Sequence, residues 1–141
     1  MRTDKYIVTQ AKPDEGTTEY LAHLPDRDVR ERVLYMDNDV VDGAFYVATS
    51  WFWKATGPGP QAHVHDFDEV LAFFGTNPND VLDLGGEVEL WIDGEQHLMH
   101  RSFMAFIPAG LEHCPLRVTR VDRPIFHFST GPESMYAGDK T

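Results

Sequence analysis

A single cysteine, Cys114, stands in 141 residues, so no internal disulfide is available and the fold must rest on its own core. A chain without a disulfide framework suits a reducing compartment, and the cytoplasm is the expected location. Basic residues are scarce as well. Lys and Arg number 12 against 23 Asp and Glu, for a net charge of -11. That balance repels phosphate backbones and anionic headgroups, which argues against nucleic acid or a membrane surface as partner. No run approaches the roughly 18 apolar residues of a membrane span, and the segment Met1 to Gln10 lacks the apolar stretch of a signal peptide. Helix signals are thin too. The best candidate runs from Pro25 to Arg32, where Pro25 suits a first turn but only Val29, with Val33 beyond it, offers an apolar stripe.

What is present reads as strand. The chain is 42% hydrophobic and 12% aromatic, enough for one well-filled domain. Gly43 to Lys54 is rich in aromatic and β-branched residues, and at period 2 Phe45, Val47, Thr49, Trp51 and Trp53 share one face. Glu69 to Phe74 follows and ends at Gly75, and Glu87 to Ile92 meets Asp93-Gly94, a tight hairpin signal from which Glu95 to Met99 returns. Phe103 to Ile107, Leu116 to Val121 and Ile125 to Ser129 complete the set, and Thr76 to Gly86 reads as a long loop. Short strands at this spacing predict an all-β sandwich or barrel.

Chemistry concentrates in His63-Val64-His65-Asp66-Phe67-Asp68-Glu69 and in a distant His113. Imidazole nitrogens and a carboxylate are good ligands for a divalent transition metal, and this set leaves open positions on an octahedral ion. Residues two apart on a strand point the same way, so His63 and His65 aim at one point. Asp66-Phe67-Asp68 turns the chain so that Glu69 starts the next strand beside them, and Pro108 and Gly110 provide the turn that returns His113. His23, His97 and His100 lie outside this pattern and are read as ordinary surface histidines.

With those residues in view, the chain resembles the cupin superfamily, as a small single-domain member of the three-His, one-Glu type. Gly57, His63, His65 and Glu69 match the first cupin motif, whose closing glycine, Gly75, comes one residue early. Pro108, Gly110 and His113 match the second, with Ser102 where Gly is usual and Arg117 where Asn is usual. The resemblance implies a jelly-roll β-barrel that holds one metal ion per chain through His63, His65, Glu69 and His113, and that commonly forms a homodimer. In that frame residues 1–42 form an N-terminal arm and the first strands, 43–130 the barrel and 131–141 a tail.

The resemblance does not imply one reaction. The expectation is an Fe(II) dioxygenase or related oxidoreductase acting on a small aromatic or carbonyl-containing molecule, with Mn, Ni or Zn as other ions for the site. A metal-dependent lyase, isomerase or decarboxylase is the alternative, and a binding protein without turnover is the third. Glu69 doubles as a candidate base. Arg117 is a candidate carboxylate clamp, although a rim residue paired with an acid is the favoured reading. His127 is a candidate base or a packed strand histidine. Trp51, Trp53, Phe73 and Phe106 are core material by type and candidate walls of the substrate pocket. Cys114, beside His113, is a candidate soft contact to the metal or a buried filler, and the filler is favoured because neighbours on a strand face opposite ways.

Overall fold

The computed structural model describes residues 2–10 and 27–132. His23, Pro25, most of the expected arm at 11–26 and the tail from 133 lie outside the described residues. A single turn of 3-10 helix, Asp4–Tyr6, precedes eight strands: β1 (Arg30–Met36), β2 (Tyr46–Phe52), β3 (Glu69–Phe74), β4 (Asp83–Ile92), β5 (Glu95–Arg101), β6 (Phe103–Ile107), β7 (His113–Val121) and β8 (Ile125–Gly131). No helix among the described residues is long and apolar enough to cross a membrane.

The strands form a five-stranded sheet, β1-β2-β8-β3-β6, and a three-stranded sheet, β5-β4-β7, with antiparallel neighbours throughout. One apolar cluster joins both: Phe52, Phe73 and Ile125 from the first sheet meet Leu84, Val88 and Val118 from the second. A further cluster of Leu71, Leu90 and Ile107 continues that contact toward the start of β3. This is the expected all-β jelly roll, two sheets closed over one core.

Three local expectations are corrected. Arg30 to Arg32 opens a strand and not a helical turn, because β1 pairs with β2, placing Arg30 opposite Phe52 and Arg32 opposite Ser50. A weak helical stripe yields to sheet pairing, which β-branched Val29 and Val33 also favour. The expected loop to Gly86 ends early, since β4 begins at Asp83 and buries Leu84 completely. On β2 the inward face is Tyr46, Ala48, Ser50 and Phe52, while Phe45 is 59% and Trp53 37% exposed. Both faces of this strand are apolar, so periodicity identified the strand but could not choose its inner side.

The two positions at which the sequence departs from the first motif and the start of the second meet each other. The Gly75 N–H donates to Ser102 Oγ at 3.0 Å, and the Ser102 hydroxyl donates to the Val81 carbonyl at 2.9 Å. They join the end of β3 to the start of β6, away from Glu69. At the other end, the segment after β2 lies against β7: the Thr56 N–H donates to the Val118 carbonyl at 2.7 Å. Only a glycine fits at 59, because a Cβ there would stand 1.7 Å from the Leu116 carbonyl oxygen. Gly57, by contrast, has open space around its missing Cβ. Gly59→Ala should therefore cost about 1–3 kcal/mol through forced separation of backbones, read as a lower thermal midpoint, while Gly57→Ala leaves the midpoint unchanged. Equal midpoints for the two variants would contradict this packing.

Candidate metal centre

The centre is built by stitching two distant segments together. His63 and His113 form an isolated antiparallel bridge, each N–H donating to the other's carbonyl at 3.0 Å. The Gly110 N–H donates to the His65 carbonyl at 2.8 Å, and the Ala109 N–H to Asp68 Oδ1 at 2.9 Å. Gly110 turns with φ +84, a conformation that suits glycine. The seam then continues into the β3–β6 ladder, where Glu69 lies opposite Ile107.

Four side chains converge as a result. His63 Nε2 lies 3.1 Å from His65 Nε2, and Glu69 Oε1 lies 3.9 Å from His65 Nε2 and 3.6 Å from His113 Nε2. Ligand atoms about 2.1 Å from a common ion are separated by roughly 3.0–3.4 Å at octahedral or tetrahedral angles; the spacing of His63 and His65 matches that range, and the two separations from Glu69 are somewhat wider. His63 Nδ1 faces the Gln61 carbonyl at 2.7 Å and His113 Nδ1 faces the Leu111 carbonyl at 3.1 Å. A carbonyl only accepts, so in each neutral ring Nδ1 carries the proton and Nε2 presents its lone pair to the site. Lone pairs and a carboxylate directed at one point call for a cation, and the donor set fits a divalent metal.

Burial and charge reinforce that fit. His65, Glu69 and His113 are 4%, 3% and 2% exposed, whereas His63 is half-buried, so of the four side chains His63 lies nearest to solvent. Burial, opposed by Glu69 and aided by the other two imidazoles, holds His65 below the usual histidine value and favours its neutral, ligating form. Burial also pulls His113 down, but its hydrogen bonds to Glu69 and the Leu111 carbonyl, with the carboxylate's attraction, leave it raised overall. Cys114 is buried beside His113, and burial together with the Glu69 charge pushes its thiol up to about 12.

No family model and no curated protein matches the sequence. Among solved structures, oxalate oxidase, itself a cupin, superposes with a TM-score of 0.54 over 93% of this chain, at 12% identity. The fold is a cupin fold. This chain spans 61% of that oxalate oxidase chain. KdgF from Halomonas sp. aligns over 86% of this chain and 96% of its own, with a TM-score of 0.48 and 12% identity. A cupin protein from Bacteroides fragilis aligns over 77% and 78%, with a TM-score of 0.43 and 16% identity. At such identities the likeness is one of fold.

Within this cupin fold several expected site residues lie elsewhere. Arg117 pairs with Glu89 on β4, Nε to Oε1 at 3.0 Å, directly across the ladder. Glu89 alternates with the core residues Val88 and Leu90, so the pair sits on the face turned from the interior. Arg117 is an ion-paired sheet residue and no substrate clamp. Trp51 and Trp53 stack on each other at 5.4 Å on the outer side of β2, and Phe106 is 61% exposed. None of these three walls the interior. Phe73 does face inward and is fully buried, packed between Phe103 and His127. His97 is exposed, and His100 is an exposed partner of Glu87 at 2.7 Å.

Sequence reasoning missed Tyr46 and Phe67. The completely buried Tyr46 donates its hydroxyl to Glu69 Oε2 in a short hydrogen bond, leaving Oε1 to face the imidazoles. Phe67 packs on the His65 ring at 4.7 Å and against Tyr46 at 6.3 Å. A tyrosine opening an apolar strand was the available signal, since a buried phenol needs a partner.

His127 is a core residue. It pairs with Phe73, four positions beyond Glu69 on β3 and hence roughly 13 Å along the sheet. Its Nδ1 donates to the Ala72 carbonyl at 2.8 Å, and burial, with the Arg30 charge second, lowers it to about 3. So weak a base does not serve at neutral pH. Its consequence is for stability: below the unfolded value of about 6.5 the unfolded chain takes up a proton that folded His127 refuses. Stability from this group is complete above about pH 6.5 and should fall by ~1.4 kcal/mol per pH unit as pH drops toward about 3. His127→Phe should flatten that slope in urea unfolding between pH 6.5 and 4; unchanged slopes would contradict a buried neutral histidine.

Proposed function

We propose that the protein is a metal-dependent enzyme, with Fe(II) held by His63, His65, Glu69 and His113, that carries out dioxygenase-type oxidation of a small organic molecule. The observation that carries this reading is the convergence of imidazole lone pairs and one carboxylate oxygen on one centre, of which His63 is the part nearest to solvent. Four protein ligands leave two positions open on an octahedral ion, one for a substrate oxygen atom and one for dioxygen. A divalent ion bound there supplies an electrophile for substrate oxygen atoms and, as Fe(II), the electrons that dioxygen chemistry needs. With Trp51, Trp53 and Phe106 on the outside, recognition rests on a coordinating oxygen atom more than on an aromatic wall.

The chain's own groups hold the centre in shape. Tyr46 fixes the Glu69 carboxylate, the Gln61 and Leu111 carbonyls fix the tautomers of His63 and His113, and Phe67 supports the His65 ring. Any role for Glu69 as a base requires it to exchange its bond to Tyr46 for one to the substrate. In the same reading the chain works in the cytoplasm, where a lone thiol stays reduced.

A homodimer belongs to this reading too. Met104 and Phe106 are 68% and 61% exposed on β6, and Phe45 is 59% exposed beside β2, giving the outer face of the five-stranded sheet an apolar character suited to a second copy. Sedimentation should find a dimer that the double change Met104→Glu, Phe106→Glu converts to monomer; a monomeric wild-type protein would rule it out.

Glu69→Ala should abolish stoichiometric metal, and Tyr46→Phe should weaken metal affinity by about 10–100-fold with the fold intact, both read by elemental analysis and metal titration. Full metal content in Glu69→Ala would overturn the ligand assignment. Iron-loaded protein should consume oxygen with members of a panel of diketones, catechols and aromatic acids. Turnover in strict anaerobiosis would replace the oxidative reading with Lewis-acid chemistry at the same ligands.

A further inference from the structure

Cys114 is not where strand alternation puts it. Alternation after His113 would turn its side chain to the opposite face, yet both residues are buried, at 2% and 6% exposure. The reason is local. Cys114 has φ +78, in the left-handed region that non-glycine residues other than Asn and Asp seldom occupy, and the β4–β7 ladder loses register between Leu90 and Ile92, just opposite. The extra residue in β7 turns the thiol back toward the side of its neighbour. Cys114 Sγ and one ring nitrogen each of His63 and His113 all lie within 4.8 Å of one another.

We infer that in the substrate-free centre Cys114 Sγ is a further ligand of the ion held by His63, His65, Glu69 and His113, approaching on the side of His63 and His113, and that it takes back a proton and gives up its position when substrate and dioxygen enter. The inference rests on the metal reading above and deepens it. Two imidazoles and a sulfur at this separation form a ligand set in their own right, which shares His113 with the set His65, Glu69 and His113. A left-handed backbone at a non-glycine residue is strained, and here that strain falls on the residue whose Sγ lies beside His63 and His113. On coordination the sulfur binds as thiolate, and its proton passes to water. A thiolate beside the imidazoles biases the site toward softer ions such as Zn and Co and away from Mn.

The test uses the full chain loaded with Co(II), whose thiolate complexes absorb by sulfur-to-metal charge transfer in the near ultraviolet. Wild-type protein should show that band together with the visible bands of bound cobalt. Cys114→Ser should lose the near-ultraviolet band and keep the visible ones, with Co(II) and Zn(II) affinity falling at least tenfold relative to Mn(II). Cobalt bound without a charge-transfer band in the wild type, or with the band surviving in Cys114→Ser, overturns the thiolate ligand and leaves the metal reading standing. A wild-type chain that takes up no cobalt overturns both.

Discussion

The backbone bridge between His63 and His113 is the constraint on which the rest of the centre depends. It joins two segments fifty residues apart in sequence at two of the converging histidines, so one pair of hydrogen bonds sets both the separation of the imidazoles and their approach. Gly110 and Asp68 add two further links, and the ladder of β3 and β6 carries the same alignment on to Glu69. Ligands held by main-chain pairing between sheet elements are aimed more accurately than ligands on free loops. The packing of Leu71, Leu90 and Ile107 beneath the seam ties that accuracy to the core between the sheets.

The interior carries charge-bearing groups at two levels, and they are managed differently. Near the start of β3, the imidazoles and Glu69 are gathered so that their lone pairs converge, and Tyr46 takes up the remaining carboxylate oxygen. Deeper along the sheet, His127 lies among Phe52 and Phe73 with one hydrogen bond to the backbone, an arrangement that excludes its charged form. The first arrangement invites a cation. The second holds His127 neutral, so the groups suited to a cation are those gathered at the start of β3.

The gathering of His63, His65, Glu69 and His113 was legible in the sequence because their spacing and the Pro108 and Gly110 turn are properties of the local chain, although the segment of His63 and His65 forms only an isolated bridge and not the expected strand. The sheet architecture was legible for the same reason: alternating runs and turn residues act over a few positions. What escaped depended on pairing partners. Trp51 and Trp53 lie outside because β2 presents apolar residues on both faces, and the choice between them is made by β1 and β8. Pairing of Arg117 with an acid was the favoured reading, and what the sequence could not name is the acid, since Glu89 becomes its neighbour only through the β4–β7 register. Cys114 escaped because simple alternation does not survive an irregular ladder. Tyr46 could be named as a strand residue, but its partner, Glu69, is supplied by the fold.

X-ray absorption at the metal edge of the protein as purified addresses the central claim most directly, because it reads the ion's neighbours without requiring a substrate. The account predicts a bound divalent transition metal with nitrogen and oxygen neighbours at about 2.0–2.2 Å, outer-shell scattering from three imidazole rings, and loss of one ring's contribution in His113→Ala. A protein free of metal, or a metal without imidazole scattering, would contradict it.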